Sequence, residues 1–191
     1  WLVAVFWAPL LLLSMVLRNT VSLSLTIQVL GGMTLVGVLA LFLLLGDPVA
    51  WWRDLLGQVL MPVLVQSGVP EETVRMLIEV SAPLMTGMLV GNVALTLLMS
   101  LFLARYWQAG LYNPGGFGEE FRALRLGRSA SIVVVLLAGF GYLAQAPMAV
   151  NVAVAVVALV AVYGLAVVHG GVRRAKASRG WLFGLYALSF V

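Results

Sequence analysis

This chain has few charged residues, no cysteine and one histidine, and each shortage excludes a class of protein or site. Only 9% of its 191 residues are charged, whereas 63% are hydrophobic. A soluble domain carries about 25% charged residues, so this chain has too few charges to cover a surface in water. The absence of Cys excludes disulfides and thiolate metal sites, and His169 alone cannot form the ligand cluster of a catalytic zinc. The composition therefore predicts an integral membrane protein.

The common motifs of enzyme active sites are also missing. The sequence has no Gly-Lys-Ser/Thr phosphate-binding loop, no Gly-x-Ser-x-Gly nucleophile turn and no His-Glu-x-x-His zinc motif. No predicted span has an ionised residue at its centre, whereas the proton relay of a pump needs intramembrane Asp, Glu or His. We therefore predict that the chain is not an enzyme and that it uses no cofactor or metal.

Long apolar runs dominate what the sequence does contain. A helix needs about 20 apolar residues to cross about 30 Å of hydrocarbon, and six runs are candidates: 1–17, 21–45, 80–104, 129–146, 150–168 and 181–191. Lipid cannot satisfy bare backbone groups, and the runs are too uniformly apolar for barrel strands. We predict an all-α polytopic transmembrane helix bundle with about six spans in a single domain over 1–191. Because the chain starts at Trp1 and ends inside an apolar run, we expect it to be a fragment of a longer protein.

Charge alternates along the predicted connections. The first holds Arg18, the third (105–128) holds four arginines, and the fifth (173–179) holds three arginines and a lysine. The second connection (46–79) has five acids against two arginines, and the fourth has no charge. Because Lys and Arg concentrate in cytoplasmic loops, this pattern predicts that the Arg-rich connections are cytoplasmic and that the second connection is external.

The second connection predicts an interfacial helix. Over 51–60 the apolar residues, including Trp51 and Trp52, fall on one half of a helical wheel, as in helices that lie along the membrane surface. Pro62 is expected to interrupt this helix. Trp51–Trp52 would then lie at headgroup depth in the outer leaflet.

A second short helix is predicted to start at Pro70, and Glu79 lies at its far end. The i,i+4 spacing of Glu71, Arg75 and Glu79 allows their side chains to pair. Glu79 therefore has two interpretations: a solute-facing carboxylate that binds a cation or proton at the mouth of the third span, or a member of a surface salt ladder with Arg75.

The third predicted span carries a polar stripe and a small-residue motif. Asn92, Thr96 and Ser100 follow at i, i+4 and i+8, so they lie on one helix face. They are candidate solute-facing residues, and the alternative is hydrogen bonding between helices, worth about 0.6 kcal/mol per contact. Gly87 and Gly91 form a small-xxx-small motif, which predicts close helix packing against an unspecified partner.

Three polar residues near predicted helix ends have structural interpretations. Gln145 and Asn151 flank Pro147 and are expected to cap helix ends, and His169 is expected at a helix C-terminus beside two glycines.

The third connection combines a turn with an amphipathic segment. Asn113-Pro114-Gly115-Gly116 is a strong turn signal, and a short helix with Phe117, Phe121 and Leu124 on one stripe is expected to follow. Either this loop docks a cytosolic partner, a membrane partner or anionic lipid, or it only links two spans; nucleic acid is not expected. The candidate docking residues are Asn113, Pro114, Gly115, Gly116, Glu119, Arg122 and Arg125.

Residues 103–126, which contain this loop, resemble the YybS-like family of bacterial multi-pass membrane proteins, a domain of unknown function. The resemblance implies the bacterial inner membrane and a fold similar to the substrate-binding subunits of energy-coupling-factor transporters, which are compact bundles of about six helices. It implies no catalytic residues.

Two hypotheses about function follow. The first is a small-solute binding or transport subunit that depends on a partner for energy. The second is a non-catalytic structural or scaffold protein of the bacterial cell envelope. An intramembrane enzyme is a third hypothesis, with no motif in its favour.

Overall fold

A computed structural model describes residues 2–144, 146–176, 178, 180, 181 and 184. Within these residues the regular structure is entirely helical, so the predicted all-α class is confirmed. A 3-10 turn, Ala82–Leu84, lies between α4 and α5. The helices are α1 (Leu2–Thr20), α2 (Leu23–Leu45), α3 (Pro48–Gln66), α4 (Glu71–Ser81), α5 (Met85–Tyr112), α6 (Gly116–Arg122), α7 (Arg128–Ala144) and α8 (Pro147–Arg174).

Among the described residues, three helical stretches are long and apolar enough to cross a membrane: Leu23–Leu45, Glu71–Tyr112 and Pro147–Arg174. Large aliphatic side chains remain exposed on them, including Leu43 (84%) and Val157 (62%). Contiguous apolar surface of this kind marks contact with another apolar phase, so the three stretches are compatible with contact with a lipid bilayer. Apart from residues 181 and 184, the predicted sixth run lies outside the described residues, as does Gln145.

The chain divides into two compact units. The first unit takes its described residues from 1–29, 96–127 and 159–191, and the second takes them from 30–95 and 128–158. Three of the four boundaries fall within α2, α5 and α8, and the fourth falls at the start of α7.

The core of the second unit joins four helices. Val38 of α2 and Val152 and Ala155 of α8 are buried at its centre. Partly buried apolar side chains from α2, α5 and α7 surround them: Leu35, Phe42, Val90 and Leu137. Branched and small side chains such as these pack densely without burying polar atoms.

The small-residue motif of α5 has α8 as its partner. A Cβ added to Gly87 would lie 2.4 Å from the backbone oxygen of Asn151, and one added to Gly91 would lie 3.1 Å from the Cα of Ala155. Because only a missing side chain lets two helix backbones approach this closely, the prediction of close packing is confirmed and its partner is now identified.

Helix α3 corrects the prediction that Pro62 interrupts the second connection. The Asp47 carboxylate caps the helix by accepting from the Ala50 amide at 3.0 Å, and the helix runs on through Pro62 to Gln66. Proline removes one amide donor, the one that would reach Gln58. Both Pro62 and Gln58 are exposed, so the backbone carbonyl that loses its donor lies on the exposed face of α3, where water can bond to it.

Candidate functional site

The second unit contains a buried asparagine at the junction between α4 and α5. Asn151 is only 1% exposed. Its Oδ1 accepts from the Gly87 amide at 2.6 Å, and its Nδ2 donates to the carbonyl oxygens of Pro83 and Pro147, both at 2.7 Å. Asn151 is predicted to cap a helix end, and its side chain does bond an amide in the first turn of a helix, but that helix is α5 and not the helix that contains Asn151.

The spacing of these partners explains why an amide is needed there. In a continuous α-helix the Gly87 amide would donate to the carbonyl oxygen of Pro83, four residues earlier. The Asn151 amide, which has both an acceptor and donors, instead bonds to each of the two. A side chain from α8 thus satisfies backbone groups beside the 3-10 turn, where the backbone bond spacing shortens from four residues to three.

Helix α3 is held to the same region by two polar contacts. The indole of Trp52 donates to the buried hydroxyl of Thr86 at 2.9 Å. The Arg53 guanidinium donates twice to Glu79, at 2.8 and 3.0 Å, and this hydrogen bonding raises the pKa of Arg53.

Glu79 is therefore engaged by α3 and not by its own helix. Arg75 pairs with Glu71 at 2.5 Å, so that part of the predicted ladder is confirmed. The predicted pairing of Glu79 with Arg75 is wrong, because Arg53 reaches both carboxylate oxygens of Glu79, and a two-point contact of this geometry is the stronger one.

The polar stripe of α5 faces outward. Asn92, Thr96 and Ser100 are all exposed, and the Ser100 hydroxyl donates to the backbone oxygen of Thr96 at 2.8 Å. None of the three lines the clefts described below. Their role toward a solute stays a prediction.

In the first unit, α6 folds back onto α5 and α8. Gly115 has φ +90°, in the left-handed region that favours glycine, and this turn places α6 beside α5. Phe117 and Phe121 lie edge-on to Phe102 of α5, with ring centroids 5.6 and 5.8 Å away, and Phe121 also contacts the ring of His169 at 5.6 Å.

The predicted turn and amphipathic helix are thus confirmed, with one difference. Helix α6 ends at Arg122, so Leu124 of the predicted stripe lies beyond it, where it is still buried.

The prediction that His169 lies at a helix C-terminus is wrong, because α8 continues to Arg174 and His169 lies within it. There its Nδ1 contacts the Leu165 oxygen at 2.9 Å.

Ion pairs add to the aromatic contacts of α6. Arg105 of α5 pairs with Glu120 through both nitrogens of its guanidinium fork and donates to Gln108 at 2.6 Å. Arg173 lies 3.9 Å from Glu119. Ion pairs therefore hold α6 against both α5 and α8. A loop that only links two spans does not require such contacts.

A cleft of about 520 Å³ lies where α6 meets the end of α8, and we call it the basic cleft. Of the seven acids, all of which the structure describes, only Glu119 lines it. Its lining residues are Glu119, Arg122, Ala123, Arg125, Gly170, Arg173 and Arg174.

A wider depression of about 1000 Å³ lies between the end of α5 and α6, and we call it the apolar groove. Trp107 and Leu111 are prominent in it, with 62% and 79% of their surface exposed. Arg122 lines both the groove and the basic cleft. The full lining is Tyr106, Trp107, Ala109, Gly110, Leu111, Pro114, Gly115, Phe117, Gly118 and Arg122.

A third cleft, of about 490 Å³, lies between α1 and α5. Arg18 and Arg105 line it beside Ser14 and Gln108. In the described parts of the chain, no three His, Asp or Glu side chains come together as metal ligands.

Of the predicted docking residues, the structure brings Glu119, Arg122 and Arg125 to the basic cleft. Asn113 to Gly116 form the turn that leads into α6, and Pro114 and Gly115 of this turn line the apolar groove. Sequence reasoning missed that Arg173 and Arg174, from another connection, complete the cleft. The available signal was that both connections are basic. Protein-family models, curated proteins and solved structures provide no match to this chain, so the resemblance to the YybS-like family stays a prediction.

Proposed function

We propose that this chain is a multi-pass protein of the bacterial inner membrane, with about six spans, that acts as a non-catalytic subunit of a membrane assembly. The observation that carries the proposal is the segregation of charge. Seven of the ten basic residues that the structure describes belong to the first unit, whereas five of the seven acids belong to the second. Concentrated basic residues are typical of the cytoplasmic segments of a membrane protein.

The topology is tested with single cysteines, because the chain has none of its own. Ser67 and Ala175 are both exposed and small, so Ser67→Cys and Ala175→Cys leave the fold intact. In intact cells an impermeant maleimide should label position 67, and it should label position 175 only after permeabilisation. The reverse order of labelling would contradict the proposed orientation.

Within this role, the first candidate is a small-solute subunit that depends on a partner. Its support is that the polar side chains of Asn92, Thr96 and Ser100 are exposed on one face of an otherwise apolar helix, where a solute can reach them.

The solute candidate is tested by Asn92→Leu, with Asn92→Gln as the matched control. Losing a hydrogen bond to a buried ligand costs about 1–3 kcal/mol, which is roughly a ten- to hundredfold loss of affinity. In a thermal-shift screen of small polar solutes, Asn92→Leu should abolish stabilisation by any hit without lowering the melting temperature of the free protein. A lower melting temperature with no hit in the parent protein would contradict solute binding.

The second candidate is a scaffold protein, and a different observation favours it. Among the described residues, no buried side-chain nitrogen or oxygen lacks a hydrogen-bond partner. Thr34 donates to the Leu30 oxygen, and Asn151 is saturated by backbone groups. Because the fold uses every buried side-chain polar atom of the described residues, none of these atoms is left to bind a solute in the interior. The screen on Asn92→Leu separates the two candidates.

A further inference from the structure

We propose that the basic cleft and the apolar groove together bind one anionic phospholipid, with the headgroup phosphate in the cleft and an acyl chain in the groove. The inference deepens the proposed function, because it rests on the chain being a membrane protein. The proposed ligand class is an anionic lipid. Part of the surface that binds it, at Arg173 and Arg174, lies outside the predicted docking loop.

The charge of the cleft is the first argument. Arg122, Arg125 and Arg174 form no ion pair with any of the seven acids, all of which lie in the described part of the chain. Arg173 has only the 3.9 Å contact with Glu119. Guanidinium groups bind phosphate through paired N–H donors, so several uncommitted arginines around one cleft favour a phosphate ligand.

At Arg125 the fold uses the backbone for anchoring and leaves the side chain out of any ion pair with the seven acids. At Arg125 the backbone amide donates to the Ser24 hydroxyl at 3.1 Å, and the backbone oxygen accepts from Gln28 at 3.5 Å. The residue itself remains exposed. The main chain is therefore anchored while the charged end is available to a ligand.

The groove decides between a lipid and a soluble phosphate. Its walls include the exposed side chains of Trp107 and Leu111 and one face of Phe117, and it adjoins the cleft at Arg122. An inorganic phosphate gains no binding free energy from an apolar groove beside its site. An acyl chain does, because each CH₂ that it buries there contributes favourably. Apolar surface next to a cationic site matches the two parts of one amphiphile.

The same features favour a lipid over an acidic protein. Trp107 and Tyr106 follow directly after Arg105 at the end of a membrane-length helix. Tryptophan, tyrosine and arginine at that position are typical of the membrane interface, and clusters of basic residues beside a span attract anionic lipids.

The test uses the whole chain in neutral detergent and titrates dioleoyl phosphatidylglycerol, with dioleoyl phosphatidylcholine as the zwitterionic comparison, followed by native mass spectrometry. The variant Arg125→Gln with Arg174→Gln removes two cleft charges and should weaken phosphatidylglycerol binding about 30-fold. The matched control, Arg128→Gln with Lys176→Gln, removes the same charge from exposed positions outside the cleft lining and should keep most of the affinity.

A second arm tests the groove. Trp107→Ser with Leu111→Ser should reduce the preference for dioleoyl over dihexanoyl phosphatidylglycerol at least tenfold. Leu43→Ser with Leu44→Ser, which alters equally exposed leucines of α2, should leave that preference unchanged. Glycerophosphoglycerol and inorganic phosphate should bind at least a hundredfold more weakly than the lipid.

Several results would overturn the proposal. Equal affinity for phosphatidylcholine, equal loss in the control charge variant, or equal binding of glycerophosphoglycerol would each exclude a lipid site of this design. Tighter binding of an acidic peptide than of phosphatidylglycerol would assign the cleft to a protein partner instead. Cysteine labelling at positions 67 and 175 does not depend on lipid affinity, so a failed lipid test is distinguishable from a failed membrane topology.

Discussion

Replacing Asn151 with leucine is expected to lower the free energy of unfolding by about 3 kcal/mol, although the two side chains branch at the same carbon. The change deletes three hydrogen bonds, to Gly87, Pro83 and Pro147, at a site that is 1% exposed. A buried donor or acceptor left without a partner costs about 1–3 kcal/mol. The Gly87 amide and the Pro83 oxygen are the groups most affected, because the Asn151 side chain supplies a bond to each of them.

The measurement is reversible unfolding in mixed micelles, and the matched control is Asn19→Leu. Asn19 is exposed at the end of α1, so its replacement is expected to change the unfolding free energy by less than about 0.5 kcal/mol. Equal stability of Asn151→Leu and the parent protein would show that the junction between α4 and α5 is satisfied without the asparagine.

Replacing Gly87 with alanine is expected to cost about 2–3 kcal/mol, even though alanine is the better helix former. The new Cβ would lie 2.4 Å from the Asn151 backbone oxygen and 3.0 Å from the Cβ of Val154. The nearest obstacle is backbone, so α8 must move away, and overpacking of this kind costs about 1–3 kcal/mol. The displacement would also stretch the hydrogen bond between the Gly87 amide and Asn151.

Two further glycines turn this prediction into a graded series. Gly91→Ala meets Ala155 at 3.1 Å and should be milder than Gly87→Ala, because a shift of a few tenths of an ångström relieves it. Gly32→Ala meets nothing within 4 Å and should be neutral or stabilise by up to about 1 kcal/mol. The same unfolding assay would refute the proposed packing if the order of stability did not follow these distances.

The apolar runs and the turn signals were readable from the sequence because both are local properties. The runs at 21–45 and 150–168 became α2 and most of α8, since lipid and a protein interior both require satisfied backbone groups. The glycine at position 115 marked the turn because few other residues adopt its φ of +90°. The stripe of Phe117 and Phe121 likewise followed from helical periodicity.

The contact partners of individual side chains could not be predicted from the sequence, because these contacts join residues that are distant in the chain. Glu79 has a basic residue four positions earlier in its own helix, yet it bonds Arg53, which lies 26 residues away in the chain. Pro62 has a sequence signature of interruption, but its exposure on α3 made the lost hydrogen bond tolerable. Both predictions rested on rules for residues close in sequence. The actual ion pair of Glu79 and the continuity of α3 at Pro62 depend on the three-dimensional surroundings of these residues.

The sequence by itself determined that this is a helical chain suited to lipid, where its apolar runs lie, and which connections are basic, because hydropathy and charge count residues without regard to their neighbours in space. Only the tertiary structure decided that Gly87 and Gly91 face α8, that Asn151 satisfies the junction before α5, and that Arg122 and Arg125 meet Arg173 and Arg174 around one cleft. The physical reason is that close packing and hydrogen bonding act over a few ångströms, so they depend on which distant residues folding brings together.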